Sequence, residues 1–103
     1  MTGEREITRV RAEGTRERTP WFDASIVETG SGRAAVIVPR FHHSAVARNR
    51  VKRRLRELVR RELAAALGGR DIVVRAAPSA YRASFDELRR AVHTVARRFG
   101  PTA

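Results

Sequence analysis

A small α/β sandwich, a mixed sheet covered by helices on one face, is predicted from three observations. Two short apolar runs precede a long amphipathic helix. A third apolar run follows that helix. The chain then closes on a second amphipathic helix. The order is α-β-β-α-β-α within 103 residues. That length suits a single domain over residues 1–103. Folding at this size buries about 65% of the unfolded surface, which allows one modest core.

Residues 4–13 (EREITRVRAE) read as a short helix with Ile7 and Val10 as its apolar pair and Gly14 as its stop. Residues 15–20 are polar and read as a loop, with room for a further short strand near residues 14–20. Residues 21–27 (WFDASIV) alternate imperfectly and predict a strand with Phe22, Ala24 and Ile26 on one side. Residues 28–32 (ETGSG) form a turn. Residues 33–38 (RAAVIV) are a continuous small-apolar run, fit for a buried strand. The two strands are expected to pair as a hairpin, ended by Pro39. Ser44 is a suitable N-cap for the long helix, and Gly68-Gly69 a suitable stop. Residues 71–76 (DIVVRA) give the third strand, which Pro78-Ser79 breaks. Ser84 with Glu87 is a capping box. The last helix runs to about Arg98, with Leu88, Ala91, Val92, Val95 and Phe99 as its stripe.

Composition narrows the partner. Apolar residues make up 42%, so the chain is not compositionally disordered. Lys plus Arg number 22 against 11 Asp plus Glu, a formal charge of +11, and the pI is about 11.8. Such charge favours nucleic acid first, an anionic membrane second and acidic proteins third. Arg carries almost all of it, since Lys52 is the one lysine. Cysteine is absent, which excludes disulfides, thiolate metal sites and a cysteine nucleophile. No apolar run reaches the ~20 residues of a membrane span. Residues 1–10 lack the apolar stretch of a secretory signal. The expectation is a soluble, cytoplasmic protein.

Catalytic constellations are nearly absent. His42 and His43 are adjacent and His93 stands alone, without metal-ligand spacing. The carboxylates are interspersed with arginines, no carboxylate cluster suggests a two-metal nuclease, and no phosphate-binding glycine loop occurs. Neither catalytic residues nor a metal site is expected. The signal lies in residues 44–62. Val46, Val51, Leu55, Leu58 and Val59 recur there at helical spacing. Set at about 100° per residue, Val51, Leu55 and Leu58 share one sector, flanked by Ala47, Val59 and Ala66. Asn49, Lys52, Arg53, Arg56 and Arg60 form a column on another face. Neighbouring like charges repel by about a few tenths of a kcal/mol per pair, and a polyanion relieves that.

The segment AVARNRVKRRLRE, residues 45–57, resembles the signature helix of the bacterial ribonuclease P protein family. The resemblance continues over the first helix, the two strands before the signature, the strand after it and the final helix. It implies the fold of that family, like domain 2 of ribosomal protein S5, with a left-handed β-α-β crossover. It implies an accessory protein subunit of an endoribonuclease holoenzyme. A catalytic RNA subunit, with its magnesium ions, cuts the 5′ leader from precursor tRNA, and the protein binds that RNA and the leader, one protein per RNA. By position in the motif, Arg48, Asn49, Arg50, Lys52, Arg53 and Arg56 would face RNA, and Arg60 extends the column. Phe22, Arg40 and Phe41 fall at the expected leader cleft.

This chain departs from the family pattern in places. Residues 39–43 (PRFHH) stand where the family commonly has Ser-Lys-Lys-x-Gly. Phe41 is placed to stack on a base or to plug the sheet edge. His43 replaces a turn glycine, so either the turn differs or His43 takes a positive φ. Ile7 and Val10 replace aromatic residues of the first helix. Two other classes fit the basic helix. One is a stand-alone RNA-binding or ribosome-associated module. The other is a membrane-surface or acidic-protein binder, disfavoured because the helix has no aromatic residue on its apolar face.

Overall fold

The computed structural model describes residues 4–28 and 32–99. Helix α1 (Glu4–Glu13) leads into strands β1 (Thr15–Arg18), β2 (Phe22–Val27) and β3 (Ala34–Ile37). Helix α2 (Ala45–Leu58) continues through a π-helical turn (Val59–Leu63) into a last turn, α3 (Ala64–Leu67). Strand β4 (Asp71–Ala76), a 3₁₀ turn (Pro78–Arg82) and helix α4 (Phe85–Phe99) complete it. Strand β1 takes up the room left for a further short strand near residues 14–20; its TRER sequence has no apolar face to announce it.

The strand order is β1-β2-β4-β3. The expected hairpin between residues 21–27 and 33–38 does not form. Strand β2 instead pairs antiparallel with β1 on one side and with β4 on the other. Strand β3 runs parallel to β4, from Ala34 opposite Ile72 to Ile37 opposite Arg75. The reason is burial. All of β4 but Arg75 is buried on both faces, which suits a central position. Every residue of β3 is only half-buried, so the run read as an interior strand is an edge. The turn at residues 29–31 lies outside the described residues.

Helices cover both faces of the sheet, not one. Phe22, Ala24 and Ile26 join Ile72, Val74 and Ala76 on the face that takes Leu55, Leu58, Leu63, Leu88, Val92 and Val95. Side chains alternate along a strand, so Ser25, Asp71 and Val73 point to the other face. Helix α1 lies there with Val10 fully buried. It is tied down by Arg9 to Asp71 at 3.1 Å and by Glu6 to Arg33 at 2.6 Å. Its exit is tight: a Cβ on Gly14 would sit 2.5 Å from the Val10 carbonyl oxygen and 2.9 Å from the Ile26 nitrogen.

Local signals fixed the helix ends. Ser44 Oγ accepts from the Ala47 N–H at 3.1 Å. Gly68 takes a φ of 64° just past the last turn. Ser84 and Glu87 bond each other's backbone N–H groups at 3.1 and 2.8 Å. In α4, Leu88, Ala91, Val92 and Val95 are buried as expected. The Phe99 side chain lies outside what is described. Val46 departs from the expected apolar set: it is 69% exposed. It stands about half a turn round the axis from Leu55, so helical geometry itself turns it outward.

Candidate nucleic-acid interface

Helix α2 docks through Val51, Leu55 and Leu58, which are 5%, 0% and 2% exposed. That contact fixes what every other side chain on the helix faces. Asn49, Arg53, Arg56 and Arg60 are exposed and Lys52 is half-exposed, so the predicted column stands on the surface. Lys52, Arg56 and Arg60 form one wall of a groove of about 630 Å³. Its floor is the free edge of β3 at Ala34, Ala35 and Val36, and Ile7 of α1 closes the far side. Small side chains at that edge let another chain come close to the backbone.

Arg48 and Arg50 leave the column. Arg48 lies seven residues before Leu55, within about 20° of the same line on the helix. Its Nε donates to the Val38 carbonyl at 2.9 Å and it reaches Asn49 Oδ1 at 3.4 Å. It therefore pins the helix to the end of β3 and orients Asn49. Arg50 is exposed on the opposite flank.

Ion pairing separates the centre of this surface from most of the positive charge on α4. On α4, Arg89 pairs with Glu62, Arg90 with Asp86 and Arg98 with Glu17. Glu57 takes Arg60 at 3.2 Å and Arg61 at 2.8 Å. Among the described residues no carboxylate reaches Lys52, Arg53 or Arg56 within ion-pair distance. The array thus faces solvent without internal counter-ions, the arrangement that attracts an external polyanion.

The residues expected at a leader cleft do not come together. Phe22 is fully buried against the helices and offers no ring face to a base. That expectation is corrected: the alternation of β2 puts Phe22 on the same side as Ala24 and Ile26. Arg40 is exposed and Phe41 half-buried in the turn before α2. The His43 N–H donates to the Arg40 carbonyl at 2.8 Å, and the positive φ values fall on Phe41 (47°) and His42 (70°), not on His43. Two consecutive positive φ values make this a type I′ turn, so the turn does differ from a single-glycine one. Tyr81 was not singled out in the sequence, yet it stacks on His43 with ring centres 3.9 Å apart. Nothing local could have shown it, because 38 positions separate the two.

Among the described residues no group of three or more His, Asp or Glu side chains is placed to hold a metal ion. No helix among them is long and apolar enough to cross a membrane.

The Ribonuclease P family model matches residues 1–100. The ribonuclease P protein component of Kocuria rhizophila is 44% identical over 77 residues, covering 70% of this chain and 68% of that protein. The one from Nocardia farcinica is 37% identical over 87 residues, covering 84% of this chain and 56% of its own length. This chain thus spans little more than half of some relatives. Among solved structures, the RNase P protein of Thermotoga maritima superposes with a TM-score of 0.81 at 25% identity, covering 95% of this chain and 97% of that one. The Staphylococcus aureus RNase P protein gives 0.80 at 21% identity, covering 97% and 96%, a likeness of fold.

Proposed function

This chain belongs to the ribonuclease P protein family, and from that membership we propose that it is the RNA-binding subunit of a ribonuclease P that removes the 5′ leader from precursor tRNA. The observation that supports this most is the unpaired column of Lys52, Arg53 and Arg56 beside the exposed Asn49. The partner is an RNA subunit. The column binds its phosphates, with Arg60 shared between that RNA and Glu57. Planar guanidinium forks suit phosphate oxygens, and recognition of backbone and shape needs no base sequence.

The same reading assigns the chemistry of cleavage to the RNA and its magnesium ions. The protein contributes charge neutralisation and positioning. It engages the precursor leader as well, pairs one to one with the RNA and works in the cytoplasm. Arg40 and the side of the groove formed by Ile7 and the edge of β3 supply surface for the leader. Arg48 serves as the strut that holds the column in register, and Arg50 contacts RNA on the other flank.

The test is reconstitution. Purified protein is added to a bacterial ribonuclease P RNA and a precursor tRNA at low magnesium. Mature 5′ ends should appear only when both RNA subunit and protein are present. Cleavage by the protein without the RNA, or no stimulation of the RNA by the protein, would overturn the proposal.

A further inference from the structure

Tyr81 makes three contacts at once. Its hydroxyl donates to the Pro39 carbonyl. Its ring lies flat against the His43 imidazole, 3.9 Å between centres and 6° between planes. Phe41 meets it at 87° with 6.3 Å between centres. Together these contacts hold the turn in which Phe41 and His42 carry positive φ. Backbone of that kind in bulky residues persists only where the surroundings over-determine it, and it gathers at ligand clamps. A turn that only connected β3 to α2 would be relieved by glycine.

What this arrangement produces is an exposed imidazole of fixed orientation. Tyr81 covers one face of His43, yet the residue stays exposed, which leaves its other face open. The stack stands at the N-terminal end of α2. About 7.5 Å of helix rise separates the N-cap Ser44, next to His43, from Asn49, where the solvent-facing column begins. An aromatic face beside a cationic track is how proteins take unpaired nucleotides, ring on base and cation on phosphate.

We infer that the His43–Tyr81 stack is a binding site for one unpaired nucleobase of the RNA subunit, the strand whose phosphates lie along α2. Continuity with the column selects that RNA as the source. The inference rests on the proposed partnership and adds to it a contact that reads a base's flat face. Phe41 supports Tyr81 edge-on and His43 presents the free ring. Ring-on-base stacking itself needs no phosphate contact, so its contribution does not add to the salt slope set by the arginines.

Four proteins decide it: wild type, His43→Ala, His43→Phe and His43→Leu, each titrated onto ribonuclease P RNA across a salt series, with thermal melts to confirm folding. His43→Ala should bind about five- to one-hundredfold more weakly with an unchanged salt slope. His43→Phe should restore binding to within about twofold, as stacking requires. Chemical probing should find one unpaired nucleotide of the RNA protected by wild type and by His43→Phe but not by His43→Ala. Equal binding and protection by wild type and His43→Ala would overturn the inference. So would full rescue by His43→Leu, or a defect seen only in holoenzyme affinity for leader-bearing precursor. If the wild-type protein does not bind this RNA at all, the proposed function itself fails.

Discussion

Asp71 and Ser25 are the buried polar residues among those described. The Asp71 carboxylate accepts from the Arg33 backbone N–H and from Arg9, both at 3.1 Å, and lies 3.6 Å from the Arg33 guanidinium. Removing a buried partner leaves cations and a backbone donor uncompensated. Asp71→Ala should therefore cost about 3 kcal/mol, read as a lower urea midpoint. RNA affinity per folded molecule should hold. Arg33 is a cation whose pKa Glu6, by hydrogen bonding, and Asp71 hold above its ordinary value. Glu62 shows the converse. Its hydrogen bond to His93, with lesser help from Arg89, lowers its pKa below the usual 4.5 against the opposing effect of burial. A lowered carboxylate adds stability that is full above the unfolded value and lost as pH falls through the folded one. Thermal midpoints should drop as pH falls below about 4.5, and Glu62→Gln should flatten that fall. An acid limb of unchanged steepness in Glu62→Gln would contradict this assignment. In the turn before α2, Phe41 and His42 hold left-handed backbone at about 1–2 kcal/mol each, offset by the Tyr81 contacts.

Helix α2 shows how far periodicity carries and where it stops. The 3.6-residue pattern and the run of like charge marked its two faces, Val46 excepted, and Ser44 and Gly68 marked the ends. The pattern failed after Val59. A straight α-helix would put Glu62, seven residues past Leu55, about 20° from the centre of the buried sector. The π turn at Val59–Leu63 inserts extra backbone and shifts the register. Leu63 is fully buried instead, Ala64 packs on the core in place of the expected Ala66, and Glu62 reaches the rim where His93 and Arg89 meet it. The carboxylate's need for a polar partner on α4 is the physical reason. Gly14 poses a sharper constraint at the α1–β1 junction. Gly14→Ala should destabilise by about 1–3 kcal/mol, because the new carbon meets backbone atoms that cannot swing aside. A melting temperature equal to wild type would refute the packing described there.

At the scale of the molecule, the fold divides the 22 Lys and Arg side chains into some that meet carboxylates and others that face solvent. On α4, Arg89, Arg90 and Arg98 meet carboxylates from the π turn, their own helix and β1, while Lys52, Arg53 and Arg56 of α2 meet none among the described residues. Five cationic contacts, from Arg50, Lys52, Arg53, Arg56 and Arg60, predict a log–log salt slope of about −3.5 to −4.5 for binding to the RNA subunit. Arg53→Ala and Arg56→Ala should each weaken that binding and take about 0.7–0.9 off the slope, with unchanged thermal midpoints. Processing at wild-type rates by both variants, at limiting protein and low magnesium, would refute the role given to the column.

The sequence by itself determined the helices, their caps, the strand at residues 71–76 and the cationic face of α2. Each depends on neighbours three or four positions away, or on a single capping side chain, and both lie within a short window. Tertiary structure alone decided that β4 slides between β2 and β3, that α1 covers the second face, that Phe22 is enclosed, and that Tyr81 stacks on His43. Strand neighbours are chosen by burial on both faces, and ring stacks and ion pairs join residues tens of positions apart. No local pattern encodes those choices, because the free energy that makes them comes from contacts that exist only once the chain has closed on itself.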